Sequence, residues 1–414
     1  MERKDIDIKD TWDLSTIYSS DQAFYQDLEK AKSLINDLVS FKNKITNSID
    51  SFYNFMTLKD QVERIINKLY CFAHLNCDVE PNNQTYQTMM ASIMGILEAS
   101  SVQISFVDNE IIENEEKVLT YIKDPKLQKY SYKIHSLLSY KQHILPKEQE
   151  ELLAKVDSIS DTSSQVFDAL RLEFEDVEEN GKKKTLNNAT LNKFLKSKNP
   201  EVRKQAYTNF FKEYRRFENV FAQTLSGVMK KDAFYADVRK FANSLEASVF
   251  DDDVPSDLFF KVLESANVKY HHLFHRYNRL KKEILQMDTI YNYDLNIPLV
   301  SSINKKYTID QCFTIIKECL KPFGKEYLEI IDKARQERWI DFYPTTGKRI
   351  GAYSSGCYDS NPFILMNFIG DYNSLLTLIH ELGHSAHSYL SNHNQEFVNA
   401  NYRIFVAEVA STVN

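Results

Sequence analysis

Glycine and proline are scarce in this chain, with nine of each among 414 residues. Together they fall well below the roughly 12% of an average protein, and they are the residues that punctuate turns and strands. A chain so poor in breakers can run its helices long, and a mainly α fold is the expectation. Hydrophobic residues make up 43% of the chain, enough for a large core, and the length allows two or three domains.

The apolar pattern agrees with this from about Asp21 to Leu170. In "DQAFYQDLEKAKSLINDLVSF" and "YQTMMASIMGILEASSVQISF" apolar residues recur every three or four positions, as in helices with one buried face. The pattern changes at "LRLEFEDVEENGKKKTL", where Leu172, Phe174 and Val177 approach alternation and Asn180-Gly181 supplies a turn that tolerates positive φ. A β-hairpin is expected there, at the end of an N-terminal lobe. Helical spacing returns after Pro200 with Val202, Ala206, Phe210, Phe211 and Tyr214, then with Leu258, Phe259, Val262, Leu263 and Ala266, all read as core. Between Tyr343 and Phe368 lie Gly347, Gly351, Gly356 and Pro362, which fit short strands and turns. A small sheet there would offer an edge to an extended peptide.

Charge and cysteine content narrow the partners. The formal net charge is −7 with acids and bases interspersed, which argues against nucleic acid or an anionic membrane surface as a partner. Lys182, Lys183 and Lys184 read as a solvated turn. The N-terminal "MERKDIDIKDTWDL" has no apolar signal region, and no run is expected to reach the roughly 18 apolar residues of a membrane span. Five cysteines are sparse and odd in number, with Cys312 and Cys319 spaced as on a helix face. A reducing, cytoplasmic setting is the expectation.

The densest chemistry lies in "IHELGHSAHSYL", which holds His380, Glu381, His384 and His387, four residues of which three belong to the chain's ten histidines. On a helix His380 and His384 stand about 40° apart on one face with one turn between them. Two imidazoles so placed can grip one metal ion. Glu381 is rotated by about 100° from His380, within reach of a water on that ion. Leu375, Leu376, Ile379, Leu382 and Leu390 support the helix, and Gly383 is its one weak residue. The bland alternative is a histidine-rich polar helix face. A second cluster, His271, His272 and His275, has no glutamate in the matching place and reads as a polar helix face or a substrate-facing surface.

An open catalytic zinc site needs a third protein ligand. His387, His393, Glu396 and Glu408 are candidates, whereas Leu390 cannot ligate. His393 and Glu396 fall in "SNHNQEF", which reads as a turn. Glu408 lies in "YRIFVAEVASTV" among apolar neighbours, where an ionised carboxylate needs a positive partner. His387 reads as a surface or cleft histidine.

The stretch "GKRIGAYSSGCYDSNPFILMNFIGDYNSLLTLIHELGHSAHSYL" followed by "IFVAEVASTVN" resembles oligoendopeptidase F, of the thimet-oligopeptidase-like zinc metallopeptidases. "TWDLSTIY", "YDLNIPLV" and "ERWIDFYPTTGKR" are similar to the same family, so the resemblance spans nearly the whole chain. It implies one zinc ion on His380, His384 and Glu408, with Glu381 as general base in attack by zinc-bound water on short unfolded oligopeptides. It implies a mainly α, two-lobed metallopeptidase with a zincin-like active-site helix, one β-hairpin and a small sheet beside the site. The expected domains are residues 1–199, a helical lobe ending in the hairpin, and residues 200–414, a catalytic domain incomplete at its C-terminus. Tyr353, Tyr358 and His387 are candidate substrate contacts.

Family members continue well past the glutamate ligand, into a part that supplies a Tyr and a His for the oxyanion. This chain is therefore expected to be a C-terminally truncated peptidase, with a separate C-terminal fragment as a partner. The competing expectation is a catalytically silent peptide- or partner-binding fragment.

Overall fold

The computed structural model describes residues 2–299 and 305–414. Helices dominate, and among the described residues strands occur only in a two-stranded hairpin and a three-stranded sheet. The chain forms two compact units, one of Met1–Lys141 with Asn304–Asn414 and one of Gln142–Ile303. This division differs from the boundary expected between residues 199 and 200. The hairpin and the helix Asn188–Leu195 pack with the helix Pro200–Arg216, so they share a unit with it and not with the N-terminal helices.

The first unit starts from three long helices. Ser20 opens α1 (Asp21–Val39) and Ser48 opens α2 (Ile49–Val79), each side chain accepting from an amide three residues on, at 3.2 and 3.1 Å. Asn83 opens α3 (Gln84–Gln103) by accepting from the Thr85 N–H. These caps satisfy amide donors that the first turn of a helix leaves orphaned. Phe24, Leu28, Ala31, Ile35 and Leu38 turn one face of α1 into the core, and Met89, Ile93 and Ile96 do the same for α3, which packs on α2. One stretch here departs from the expectation that no segment reaches membrane length. Gln84–Glu113 is long and apolar enough, by length and composition, to cross a membrane. It shows no unbroken apolar run in the sequence because Thr88, Ser92, Glu98 and Ser100 interrupt it.

The second unit contains the expected hairpin. Strand β1 (Val177–Glu179) pairs antiparallel with β2 (Lys182–Lys184), and Asn180 and Gly181 turn the chain at φ 56° and 70°, the left-handed pair that a tight hairpin requires. The three lysines are an exposed strand rather than a turn. Phe174 stacks on Phe210 at 4.7 Å, while Val177, Val202 and Ala206 fill the small core beneath. A buried ion pair joins Arg203 to Asp294 at 2.7 Å. Several core assignments fail. Phe211 and Ala266 are exposed, and the helix Ser256–Glu264 buries none of its residues, with Phe259, Val262 and Leu263 all facing solvent in this unit. Helical spacing reports which residues share a face but not whether anything covers it. His271, His272 and His275 are also exposed, with His271 Nδ1 on the Val268 carbonyl at 3.0 Å. Val300, which ends the "YDLNIPLV" motif, lies outside the described residues.

The chain then returns to the first unit and builds the sheet. β3 (Ile340–Asp341) runs parallel to β5 (Phe363–Leu365), and β4 (Tyr353–Ser355) runs antiparallel to it, giving the order β3-β5-β4. β5 is central and wholly buried, and β4 is an edge. The "TWDL" segment locks onto this sheet from the far end of the sequence. Trp12 meets Phe363 edge to face at 6.2 Å, and the Asp13 N–H donates to the Arg338 carbonyl at 2.8 Å. Beneath it Asp341 is paired with both Lys348, at 2.6 Å, and Arg3, at 2.8 Å. The buried sheet therefore gives the next helix a fixed base.

Candidate metal centre

That helix, the histidine helix, runs from Tyr372 to Asn394. Asp371 caps it, accepting from both the Ser374 N–H and the Ser374 hydroxyl at 2.8 Å. Leu375, Leu378, Leu382 and Ala386 are buried, whereas Leu376 and Leu390, expected as support, are exposed. The helix extends through His393, which stacks on Tyr389 at 3.9 Å and is not in a turn. Glu396 follows the helix and comes 3.8 Å from Lys129.

His380 and His384 project together, their ring centroids 4.9 Å apart. The glutamate helix, Ile404–Val413, brings Glu408 to them: its Oε2 lies 3.7 Å from His380 Nε2 and 3.8 Å from His384 Nε2. One donor atom from each residue falls within a 4.8 Å cluster. Donors bound at about 2.1 Å around one tetrahedral ion stand roughly 3.4 Å apart, so this set fits a single ion with a small inward adjustment. Two imidazole nitrogens and a carboxylate oxygen are also the donor chemistry of an open metal site. Burial is not what gives Glu408 its need for a positive partner, contrary to the expectation from its apolar neighbours, since its side chain is 56% exposed. Convergence with the histidines singles it out instead.

The glutamate helix comes this close because of Gly383. A Cβ there would lie 2.9 Å from the Ala410 carbonyl oxygen and 2.9 Å from Ser411 Cα. The residue that looked weakest in the sequence is thus where two helices touch backbone to backbone. Neighbouring groups then hold these side chains. Ser411 donates its hydroxyl to Glu408 Oε2 at 2.9 Å, and a His384 ring nitrogen donates to the Ala407 carbonyl. Asn414 donates to the Ile379 carbonyl at 3.0 Å and accepts from the Tyr327 hydroxyl at 2.6 Å. Burial pushes the His384 imidazole below its ordinary pKa, which keeps the ring neutral and able to ligate.

Glu381 is not one of the three donors and sits beside them, between Glu408 and β4. It is buried, and its carboxylate accepts the Ser354 backbone N–H. Burial, followed by the charge of Glu408, raises its pKa to about 7. Ser354 is tied to the same helix a second time through its hydroxyl, 2.8 Å from that of the buried Ser385. Neither serine stood out in the sequence. The only signal was Ser385 one position past His384, on the face toward β4.

A cleft of about 510 Å³ opens beside this edge, lined by Asn67, Ser354, Gly356, Tyr358, Asn392 and Tyr402 among others. Of the candidate substrate contacts, Tyr358 lines it, with its hydroxyl on the Gln395 carbonyl at 2.9 Å. Tyr353 does not line it, and its hydroxyl is committed to Asp78 at 2.7 Å. His387 stacks on Tyr402 at 3.7 Å, and its buried Nδ1 has no hydrogen-bond partner among the described residues.

Comparisons with known proteins bear on the whole chain. Residues 193–414 match the family model described as peptidase family M3, and residues 113–173 match a model described as oligopeptidase F. Oligopeptidase PepF of Bacillus subtilis is 36% identical across the full chain, which spans 62% of that protein's length. Group B oligopeptidase PepB of Streptococcus agalactiae is 30% identical, again across the full chain, which spans 69% of it. A solved structure from Chlamydophila abortus superposes with a TM-score of 0.87 at 27% identity, covering 100% of this chain and 70% of the other. Oligoendopeptidase F from Enterococcus faecium superposes with a TM-score of 0.60, also at 27% identity, covering 95% of this chain and 65% of the other. By these matches the chain belongs to peptidase family M3, in its oligoendopeptidase F group.

Proposed function

We propose that this chain carries the peptide-cleaving centre of a zinc-dependent endopeptidase acting on short, unfolded oligopeptides. The observation that carries the proposal is the convergence of His380, His384 and Glu408, with the buried carboxylate of Glu381 beside them. Membership in family M3 supports zinc as the ion and a peptide as the substrate. His380, His384 and Glu408 would hold the zinc, which when bound supplies a Lewis acid for the peptide carbonyl and lowers the pKa of water toward about 7.

The remaining chemistry falls to side chains and backbone of this chain. Glu381 accepts the proton from the attacking water and delivers it to the leaving amine, and its burial, which raises the carboxyl pKa, suits it to both transfers. The Ser354 N–H holds that carboxylate in place. The outer edge of β4 and the cleft beside it offer backbone groups and polar walls to an extended peptide. Tyr358 and Tyr402 supply aromatic surface in that cleft. A cytoplasmic location is part of the proposal, supported by five cysteines that are all free.

One observation favours a second reading, a silent peptide-binding chain completed by a separate polypeptide. The glutamate helix exposes Ile404, Phe405, Val406, Val409 and Val413, an apolar face on the element that carries a ligand. Cleavage of an internally quenched oligopeptide decides between the two. Cleavage by the zinc-loaded chain that is lost to chelator and to Glu381→Gln supports the first reading. A folded, zinc-loaded chain that cleaves only when a polypeptide matching the rest of its relatives' length is added supports the second.

A further inference from the structure

Two thiols far apart in the sequence meet in the wall of the cleft. Cys71 lies in α2, and Cys357 lies on the turn that follows β4. Both line the cleft and both are free. Cys71 is buried in the core cluster against which Cys357 packs, and the two thiols interact. The turn that carries Cys357 is held against α2 by further contacts. Arg64 Nε donates to Asp359 Oδ2 at 2.9 Å, and the Arg64 guanidinium also covers the Tyr358 ring at 5.2 Å. Within the turn the Cys357 N–H donates to the Ser360 hydroxyl at 3.0 Å. Gly356 is tightly packed, since a Cβ there would lie 3.1 Å from both the Asn361 carbonyl oxygen and Pro362 Cα. The two sulfurs are therefore held together by a packed, anchored loop.

We infer that Cys71 and Cys357 form a reversible disulfide when the protein meets a peroxide, and that this bond ties the β4 turn to α2. Of the five cysteines only Cys71 and Cys357 line this cleft; Cys77, Cys312 and Cys319 do not. The interaction with Cys71, helped by the Ser360 hydroxyl and the Asp359 N–H, holds the Cys357 thiol below its ordinary pKa, so it is the sulfur that reacts first. Its thiolate attacks one peroxide oxygen, giving a sulfenic acid and releasing hydroxide. The Cys71 sulfur then attacks the Cys357 sulfur and expels the sulfenic oxygen, and the Cys71 proton leaves with it as water. Overall, two thiols and one hydrogen peroxide give one disulfide and two waters. A dithiol reductant reverses the oxidation by exchange.

The consequence for peptide binding rests on the proposed role of the cleft, because the bond would fix Gly356, Cys357 and Tyr358 on its wall. The pairing itself does not depend on that role. Its test is therefore a chemical one on the intact protein. The folded chain is treated with hydrogen peroxide, denatured in iodoacetamide to cap remaining thiols, digested without reduction and read by mass spectrometry. The expected product is a cross-linked pair of peptides containing Cys71 and Cys357, two hydrogens lighter than their sum, with Cys77, Cys312 and Cys319 alkylated. Dithiothreitol before alkylation should return both peptides as alkylated singles. The inference is overturned if Cys71 is recovered alkylated while Cys357 is alkylated or carried on to sulfinic acid, or if either pairs with another cysteine. Cys357→Ser, which keeps a hydrogen-bonding group in the loop, should leave Cys71 alkylated after peroxide. A cross-link from Cys71 to a different residue in that variant would equally overturn it.

Discussion

Gly383 and Ala410 meet backbone to backbone: a Cβ on Gly383 would lie 2.9 Å from the Ala410 carbonyl oxygen. The contact sits one residue before His384 and two residues after Glu408, so it sets the spacing of the His380, His384 and Glu408 donors. Two effects of Gly383→Ala have opposite signs. Alanine is favoured over glycine inside a helix by about 1 kcal/mol, whereas forcing a methyl against a packed backbone costs about 1–3 kcal/mol. The backbone contact should win. The variant should unfold at lower denaturant than the parent and bind zinc more weakly, measured by chemical denaturation and by competition with a chromogenic chelator. A variant that is stabilised and binds zinc as the parent does would show that the helices are not in contact there.

Ser411 orients the Glu408 carboxylate through a 2.9 Å hydrogen bond and is itself buried. Removing a group that orients a metal ligand costs about 10–100-fold in affinity. Ser411→Ala should weaken zinc binding within that range while leaving helical content unchanged by circular dichroism. Thr at the same position keeps the hydroxyl and should restore part of the loss.

The Ser354–Ser385 bond joins the edge strand to the histidine helix at 2.8 Å. Ser385→Ala removes one partner of this bond and should cost about 0.5–1.5 kcal/mol in stability. If Ser354 also positions Glu381, turnover should fall while zinc affinity holds. Equal loss of both would assign the serine pair to the fold alone.

Glu381→Gln keeps the shape of the side chain and removes its basicity. Zinc content should stay at the parent level, and peptide cleavage should fall by about 10²–10⁴-fold, the usual contribution of general acid–base catalysis. Metal analysis and a fluorogenic peptide assay read the two quantities separately.

In the second unit, burial opposes ionisation of Glu150, but the two hydrogen bonds from Arg239, both 3.0 Å, and the Leu145 N–H hold its pKa below the ordinary carboxyl value. A depressed carboxylate contributes stability above its unfolded pKa of 4.5 and loses it as pH falls through the lower, folded value. Stability measured by urea melts should therefore decline on acidification below that point. Arg239→Met should flatten this part of the profile, and an unchanged slope would remove the pair from the account.

Local pattern determined much of this protein. The Asn180-Gly181 hairpin, the capped helices and the placement of His380, Glu381 and His384 along one helix all depend on residues close in sequence, where periodicity and turn chemistry are sufficient. Sequence motif also singled out Glu408, although burial among apolar neighbours was not the operative reason. Contacts between distant segments decided the rest. Gly383 reads as a helix breaker until the glutamate helix lies against it, and Ser354 has no meaning until β4 reaches Glu381. Cys71 and Cys357 stand far apart in the chain until α2 and the β4 turn are packed together. Phe259 and Val262 keep the spacing of a core stripe but lie exposed in their unit. A periodic pattern fixes which side chains share a face, because helix and strand geometry repeat locally. Which face is covered, and by what, depends on packing between segments whose separation in sequence leaves no local trace.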